Sequence, residues 1–340
     1  MDDLTVLLSP DSLKGSLGAT DAARALAEGF RRARPGVTAI PMPLSDGGEG
    51  LVDILRHALG GELRDATVSD PLGRPVDARY LVLDDGSAIM ESAEPIGLTR
   101  LTPDELDPFA ASSRGLGELI AAAVTGGGIR EIVLGVGGVA TVDGGAGLRE
   151  ILDKLPVPVR VASDVHNPLL GPRGAAAVFG PQKGARPADI PRLEARLASM
   201  GFAPEITRRP GAGAAGGLGA MLLSMGAEIT SGIELVLDLT GWHDAVRRAD
   251  LVVTGEGCVD LSSTEGKVVS GVCAAADASG VPTVVFGGLV QPDGADRLRE
   301  AGAIGVIPLS GRPTHAAADL TDLGSTLAHL TNVRIGTATR

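Results

Sequence analysis

The chain has 340 residues, enough for two domains, and its hydrophobic residues, 44% of the total, suffice for a sizeable core. Its formal net charge of −12 argues against a nucleic acid or an anionic membrane as a partner, because both repel a negative surface. Cys258 and Cys273 have no companions nearby and form no metal-binding set. The sequence shows neither a signal-peptide pattern nor an apolar run of roughly 18 residues, so we expect a cytoplasmic protein without a membrane span.

The first elements alternate between strand and helix. Residues 4–8 predict a strand, 20–32 an amphipathic helix, 38–42 a second strand and 50–59 a second helix. This alternation is typical of a parallel α/β sheet, in which ligands bind beyond the carboxyl ends of the strands.

The middle of the chain predicts a different kind of sheet. Three short strands, over 63–68, 76–83 and 87–91, are separated by turn signals. The last of these signals, Asp84-Asp85-Gly86, is typical of a hairpin turn. We therefore expect an antiparallel section that belongs to a second domain.

From residue 250 onward, strands and helices alternate again. The sequence therefore predicts an α/β fold of two domains. One is a Rossmann-like parallel-sheet domain made of residues 1–65 plus 240–340, and the other is a mixed α/β domain inserted over 66–239. We expect the active-site cleft to lie between the two domains, where loops that follow the strands could converge.

A glycine-rich run over 211–219, with the sequence GAGAAGGLG, is the most informative segment. Glycines without large neighbours leave backbone N–H groups exposed and let a ligand come close to the main chain. Both properties suit a phosphate group, so the run predicts a site for an anionic ligand.

Other glycine-rich loops carry acids and lysines. Lys14 lies beside Gly15 at the approach to a helix, and Asp46 and Glu49 lie in the loop DGGEG. A solvated lysine in a capped turn, or a tight turn with acids at a helix N-terminus, would explain these loops without a ligand. Asp143 lies in a further glycine-rich loop, and Asp164 directly follows a predicted strand, where it could serve as a general base or a metal ligand.

Together these loops offer the groups that phosphoryl transfer needs. Lys14, Lys183 and Lys267 could neutralise phosphate charge, while the acids could hold Mg²⁺ and supply a base for the attacking hydroxyl.

Seven segments follow one another in the order of a known family. Residues 10–16, Pro-Asp-Ser-Leu-Lys-Gly-Ser, are similar to the family's opening P-D-S-F-K-G-S, and the other segments are 46–50, 137–147, 164–171, 179–185, 210–219 and 255–267. The chain resembles the bacterial glycerate kinases that form 2-phosphoglycerate. This resemblance covers nearly the whole chain and implies a two-domain α/β enzyme that uses ATP and Mg²⁺ to phosphorylate D-glycerate.

The resemblance also implies roles for particular residues. Asp164, with Asp143 as its rival, would accept the proton of the hydroxyl, and Lys14 would stabilise phosphate charge. The residues expected to bind the nucleotide are Gly211, Gly213, Gly216, Gly217, Gly219, Glu256 and Lys267. Those expected to bind the acceptor are Ser12, Ser16, Asp46, Asn167 and Lys183, and those expected to hold Mg²⁺ are Asp46, Glu49 and Asp260. The resemblance implies a small hydroxy acid and ATP as partners. We expect the protein to be a monomer or a homodimer.

Some positions depart from the family pattern. Val139 and Val142 stand where the family has Ser and Asn, and Ser262 and Ser263 precede Thr264 where the family has a Gln before the Thr. Each valine removes a hydrogen-bonding side chain from the expected site. Two alternatives therefore stay open, namely a kinase of the same family for another small hydroxy acid or polyol, and a non-catalytic binding or regulatory protein.

Overall fold

The computed structural model describes residues 4–264 and 266–331. The strands in this part of the chain are β1 (Thr5–Leu8), β2 (Thr38–Pro41), β3 (Glu62–Ser69), β4 (Pro75–Val82), β5 (Ser87–Glu91), β6 (Glu131–Gly135), β7 (Val159–Ala162), β8 (Glu228–Thr230), β9 (Leu251–Val259), β10 (Thr283–Val290) and β11 (Ala303–Pro308).

The first seven α-helices are α1 (Ala19–Ala33), α2 (Leu51–Leu59), α3 (Ala93–Ile96), α4 (Arg114–Thr125), α5 (Ala146–Ile151), α6 (Ala175–Phe179) and α7 (Ile190–Ala198). The remaining ones are α8 (Pro204–Thr207), α9 (Ala214–Ser224), α10 (Gly232–Thr240), α11 (Trp242–Val246), α12 (Val268–Ala278), α13 (Pro292–Glu300) and α14 (Ala316–Leu330). Short 3₁₀ helices occupy Leu98–Arg100, Pro103–Glu105, Pro181–Lys183, Leu261–Thr264 and Pro313–His315. Among the described helices, none has the length and apolar character that a membrane span requires.

The chain forms two compact units, and the predicted α/β class is confirmed. One unit consists of the described residues up to Ser45 and from Val236 onward, and the other of Asp46–Leu235. The first boundary between the units falls between Ser45 and Asp46, whereas the sequence predicted it between residues 65 and 66. Helix α2 packs on β5 and strand β3 pairs with β4 along its whole length, so both belong to the second unit.

The first unit is built on a parallel sheet with the strand order β11-β10-β9-β1-β2. Residues 6–8, 251–253 and 284–286 in the sheet's central strands are apolar and buried, as expected where helices cover both faces of a parallel sheet. Trp242, which is fully buried, donates its indole N–H to the Ser9 hydroxyl over 2.8 Å, just past the carboxyl end of β1.

Helices α1 and α14 of this unit pack with their backbones in close approach. A Cβ atom on Gly29 would lie 2.0 Å from the carbonyl oxygen of Thr321, and one on Gly324 would lie 2.4 Å from that of Leu26. Real Cβ atoms do not come so near to backbone atoms, so each glycine makes room for the other helix.

The second unit is built on a mixed sheet with the order β3-β4-β5-β6-β7-β8. Strands β3, β4 and β5 pair antiparallel, whereas β5 to β8 pair parallel. The predicted hairpin turn joins β4 to β5, where Gly86 donates its N–H to the carbonyl of Leu83 over 3.0 Å. The parallel half brings the residues that follow β5, β6, β7 and β8 to one edge of the sheet.

We expect Gly29→Ala to lower the free energy of unfolding by about 1–3 kcal/mol, because the added methyl group meets backbone that must move. Urea unfolding of the intact chain measures this effect. Gly36→Ala is the matched control, since a Cβ there meets nothing within 4 Å and its φ is ordinary. Equal stability of the two variants would contradict the close helix packing.

Candidate active site

The acidic loop, residues 46–50, lies across the carboxyl ends of two strands of the second unit. A Cβ atom on Gly135, the last residue of β6, would lie 2.2 Å from the carbonyl oxygen of Gly47. Gly47 itself has a φ of +86°, and its own Cβ would lie 2.7 Å from the side chain of Ala162 at the end of β7. Because glycine occupies both positions, the loop can rest directly on the strand ends.

Asp164 follows β7 and is held by three donors. One carboxylate oxygen accepts the Ser231 hydroxyl over 2.7 Å and the Gly232 N–H over 3.0 Å, and the other accepts the Ile233 N–H over 3.1 Å. Burial raises the pKa of Asp164 to about 6, an effect that these hydrogen bonds oppose and the nearby Asp46 carboxylate reinforces. A carboxylate with such a pKa is suited to accept a proton near neutral pH.

Asp46 lies close to Asp164. The carbonyl oxygen of Asp46 would be 1.9 Å from a Cβ on Gly232, whose N–H is bound by Asp164. The Asp46 carboxylate accepts the Gly48 N–H over 3.0 Å, which fixes the turn of the acidic loop. The structure thus brings together two of the residues that the sequence singled out, at the edge where ligands of parallel sheets bind.

Asp143, the rival base, is committed to structural hydrogen bonds. Its carboxylate accepts the N–H and the hydroxyl of Ser113 over 2.8 and 2.7 Å, and the N–H groups of Gly145 and Gly147 over 3.0 and 3.1 Å. The residue is only 2% exposed. With its oxygens satisfied in this way, Asp143 holds the start of α5.

Lys183 is buried rather than presented to a ligand. Its side chain is 2% exposed, and its ammonium donates to the carbonyl of Thr141 over 2.7 Å. Burial lowers the pKa of Lys183 to about 7, although the negative charge of Asp143 opposes this shift. The expectation that Lys183 contacts the acceptor is therefore not supported by its place in the fold.

The glycine-rich run over 211–219 is packed into the interior of the second unit. Gly213 donates its N–H to the carbonyl of Asn167 over 2.9 Å, and Gly217 donates its own to Gly213 over 3.4 Å. A Cβ on Gly216 would lie 2.0 Å from the carbonyl oxygen of Thr141. The prediction that the run leaves its N–H groups exposed is wrong at Gly213 and Gly217, because these glycines serve close packing of backbone on backbone.

Other expected acceptor ligands are also engaged within the fold. The Asn167 side-chain amide donates to the carbonyl of Arg173 over 2.8 Å, and the Ser16 hydroxyl donates to the carbonyl of Pro313 over 2.7 Å. Ser12 is half-buried, and its N–H bonds the Asp11 carboxylate over 2.6 Å.

The first unit has a polar patch of its own around Glu256, in the Gly255-Glu256-Gly257 segment of β9. The segment after β1 lies against it, with the N–H of Asp11 donating to the carbonyl of Gly255 over 2.9 Å. Burial raises the pKa of Glu256, while the Ser263 hydroxyl and then the charges of Lys267 and Lys14 oppose this shift. The charge of Asp260 also reaches Glu256. One buried carboxylate oxygen, Oε1 of Glu256, has no hydrogen-bond partner among the described residues.

The sets expected to bind Mg²⁺ and nucleotide are each divided between the units. Asp46 and Glu49 belong to the second unit and Asp260 to the first. The glycines of 211–219 likewise belong to the second unit, whereas Glu256 and Lys267 belong to the first. Within the described residues, no group of three or more His, Cys, Asp or Glu side chains is placed to hold a metal ion.

Sequence reasoning missed Glu91, Ser113 and Ser231. Glu91 is the last residue of β5, 5% exposed, and its carboxylate accepts the N–H groups of Gly50 and Val52 over 3.1 and 2.8 Å. The sequence signal that could have identified Glu91 is its place as an acid at the end of the predicted strand over 87–91. The signal for Ser231 is weaker, since it is only a hydroxyl residue between a strand and a helix.

The valines that depart from the family pattern lie in apolar surroundings. Val139 is 2% exposed and packs in the core that lies between the mixed sheet and α4, and Val142 is fully buried against Leu169, Ala175 and Leu197. Their side chains fill core space. The side chains of Ser262 and Thr264 lie outside the described part of the chain.

Comparison with known proteins identifies the class. A family model for the glycerate kinase family matches residues 6–154 and 151–336. A glycerate kinase of Halalkalibacterium halodurans is 38% identical over 324 residues, which cover 84% of this chain and 85% of the relative. The glycerate 2-kinase of Escherichia coli is 36% identical over 330 residues, covering 85% of this chain and 86% of the relative.

A solved structure agrees with these relatives. The crystal structure of a protein described as a glycerate kinase 2 from Salmonella typhimurium LT2 matches with a TM-score of 0.82 and 32% sequence identity, over 97% of this chain and 99% of that one. Fold and relatives together define the protein as a kinase, an enzyme that transfers a phosphoryl group. More particularly, the chain belongs to the glycerate kinase family, as the order of its seven segments predicted. The alternative of a non-catalytic protein is not retained.

We expect Asp143→Asn to lower the free energy of unfolding by about 3 kcal/mol, because an amide leaves N–H donors without an acceptor in the interior. Urea unfolding at pH 7 measures the loss, and Asp153→Asn, at an exposed position, is the control. If Asp143→Asn instead has wild-type stability but no turnover, Asp143 acts as the base.

Proposed function

We propose that the protein transfers the γ-phosphoryl group of ATP to the 2-hydroxyl of D-glycerate, giving 2-phosphoglycerate and ADP. The observation that carries this proposal is the Asp164 carboxylate, which is held by three donors at the carboxyl end of β7, beside Asp46. The relative from Escherichia coli, which bears the name glycerate 2-kinase, supports the position of phosphorylation.

In this proposal Asp164 is the general base. The hydroxyl oxygen of glycerate attacks the γ-phosphorus, the bond from that phosphorus to the bridging oxygen of ADP breaks, and the hydroxyl proton passes to Asp164. Since the pKa of Asp164 is about 6, most of the carboxylate is ionised at pH 7 and is basic enough to accept this proton. Asp46 then orients the hydroxy acid through its remaining acceptor capacity.

The patch around Glu256 is proposed to receive the nucleotide phosphates. Lys14 and Lys267, whose charges both reach Glu256, would neutralise the phosphate oxygens. The unpartnered Oε1 of Glu256, with Asp260 nearby, fits the carboxylate ligands that Mg²⁺ takes in addition to phosphate oxygens and water. When bound, Mg²⁺ stabilises the negative charge that the phosphate oxygens carry.

The structure weakens the main reason for expecting an acceptor other than D-glycerate. The change from hydrogen-bonding residues to Val139 and Val142 suggested a different hydroxy acid or polyol, yet both side chains are buried in apolar cores. D-Glycerate therefore remains the acceptor that we propose.

The function is tested with purified full-length protein, ATP, Mg²⁺ and millimolar D-glycerate. We expect ADP and one phosphorylated product, and NMR coupling between phosphorus and the proton on carbon 2 identifies 2-phosphoglycerate. Reactions without acceptor, with L-glycerate and with glycerol serve as controls. A product phosphorylated on carbon 3, or faster turnover of another acceptor, would overturn the proposal.

We expect Asp164→Asn to lower kcat by about 10²- to 10⁴-fold, because no base remains for the hydroxyl proton. In the wild type, kcat should fall as the pH drops below about 6, where Asp164 becomes protonated. This dependence should be absent from the residual activity of Asp164→Asn. Asp65→Asn, at an exposed position, is the control, and wild-type kcat in Asp164→Asn would exclude Asp164 as the base.

A further inference from the structure

Glu91 connects the mixed sheet of the second unit to the acidic loop. Its carboxylate lies at the carboxyl end of β5, and one oxygen accepts the Gly50 N–H over 3.1 Å while the other accepts the Val52 N–H over 2.8 Å. Gly50 is the residue before α2, where it adopts a φ of 90° and offers no side chain to cap the helix. Glu91 therefore supplies from a distant strand the cap that the local sequence lacks.

We propose that Glu91 is a positioning residue for the acceptor, fixing the acidic loop to the sheet so that Asp46 is held beside Asp164. The inference rests on the proposed function, because it assumes that Asp46 and Asp164 act on glycerate. The path from Glu91 to the reacting groups is short. Glu91 binds the last residue of the acidic loop, and the carbonyl of Asp46, its first residue, rests on Gly232, whose N–H is bound by Asp164.

The surroundings of Glu91 indicate that its charge does not serve stability. Burial raises the pKa of Glu91 to about 7; the two backbone N–H groups oppose this shift, and the charge of Glu94 adds to it. The charge of Arg79 reaches Glu91, but its guanidinium bonds Glu94 and Asp53. A raised pKa means that the contribution of Glu91 to stability is present below its unfolded pKa and is lost as the pH rises through about 7.

A neutral side chain of the same shape removes the cost of the buried charge at alkaline pH, but it would hold the loop differently. Glutamine keeps one acceptor oxygen and places an NH₂ group against the second N–H donor. Donor then faces donor, so the acidic loop must shift while the core around position 91 stays filled. Stability and positioning can therefore be separated by experiment.

The test measures steady-state kinetics and urea unfolding of Glu91→Gln at pH 8. We expect KM for D-glycerate to rise about tenfold with KM for ATP unchanged, a split that a general loss of stability, measured by the unfolding, would not produce. Glu91→Asp, which restores the carboxylate on a shorter stem, should recover part of the loss in KM. If Glu91→Gln does not fold, Glu91→Asp alone tests the inference. We then expect its KM for glycerate to rise and its KM for ATP to stay unchanged.

Glu94→Gln is the matched control, because it removes a neighbouring carboxylate that pairs with Arg79 and, among the contacts of the described residues, makes no bond to the acidic loop. We expect wild-type KM values from it. An unchanged KM for glycerate in Glu91→Gln, or a loss of stability with KM values preserved, would overturn the inference while leaving the proposed function intact. Absence of glycerate phosphorylation in the wild type would instead overturn the proposed function.

Discussion

Close approach between backbone segments, at positions where only glycine fits, is the constraint on which both units depend. In the first unit Gly29 and Gly324 let α1 and α14 meet with main chain against main chain. In the second, Gly135 and Gly232 let the acidic loop and the start of α10 lie directly on the sheet edge that holds Asp164. A methyl group at these points would meet carbonyl oxygens, so the placement of the acids depends on the absence of side chains there as well as on the hydrogen bonds that hold Asp164 and the acidic loop.

This constraint explains why the glycine-rich run does not leave the N–H groups of Gly213 and Gly217 exposed. A sequence shows that the backbone is bare, but it does not show whether a ligand or another segment of the same chain occupies the space beside it. At Gly216 the occupant is the carbonyl of Thr141, a residue distant in sequence. The strands, the hairpin and the α/β class could be predicted, because they follow from local periodicity and turn chemistry.

The roles of the carboxylates could be predicted only in part, for a related reason. Asp143 and Asp164 both lie in loops after strands, and the difference between them comes from their donors. Ser113, at a separate helix start, completes the set of donors around the buried Asp143, whereas Asp164 stays partly exposed and burial raises its pKa against the effect of the Ser231 bond. Donors so far away in sequence become neighbours only through the fold, so no local pattern could distinguish the two acids.

Three ionisable groups in the second unit have shifted pKa values, and these shifts lower the unit's stability near neutral pH. Asp164 and Glu91 have raised pKa values of about 6 and 7, so their contributions to stability are lost as the pH rises through these values. Lys183 has a pKa lowered to about 7, so its contribution is present at alkaline pH and is lost as the pH falls toward 7. All three contributions are therefore near their least favourable at neutral pH. A unit that served only to fold would gain from apolar residues at positions 91 and 164, and retaining carboxylates there is understandable if their protons and hydrogen bonds are needed for the reaction.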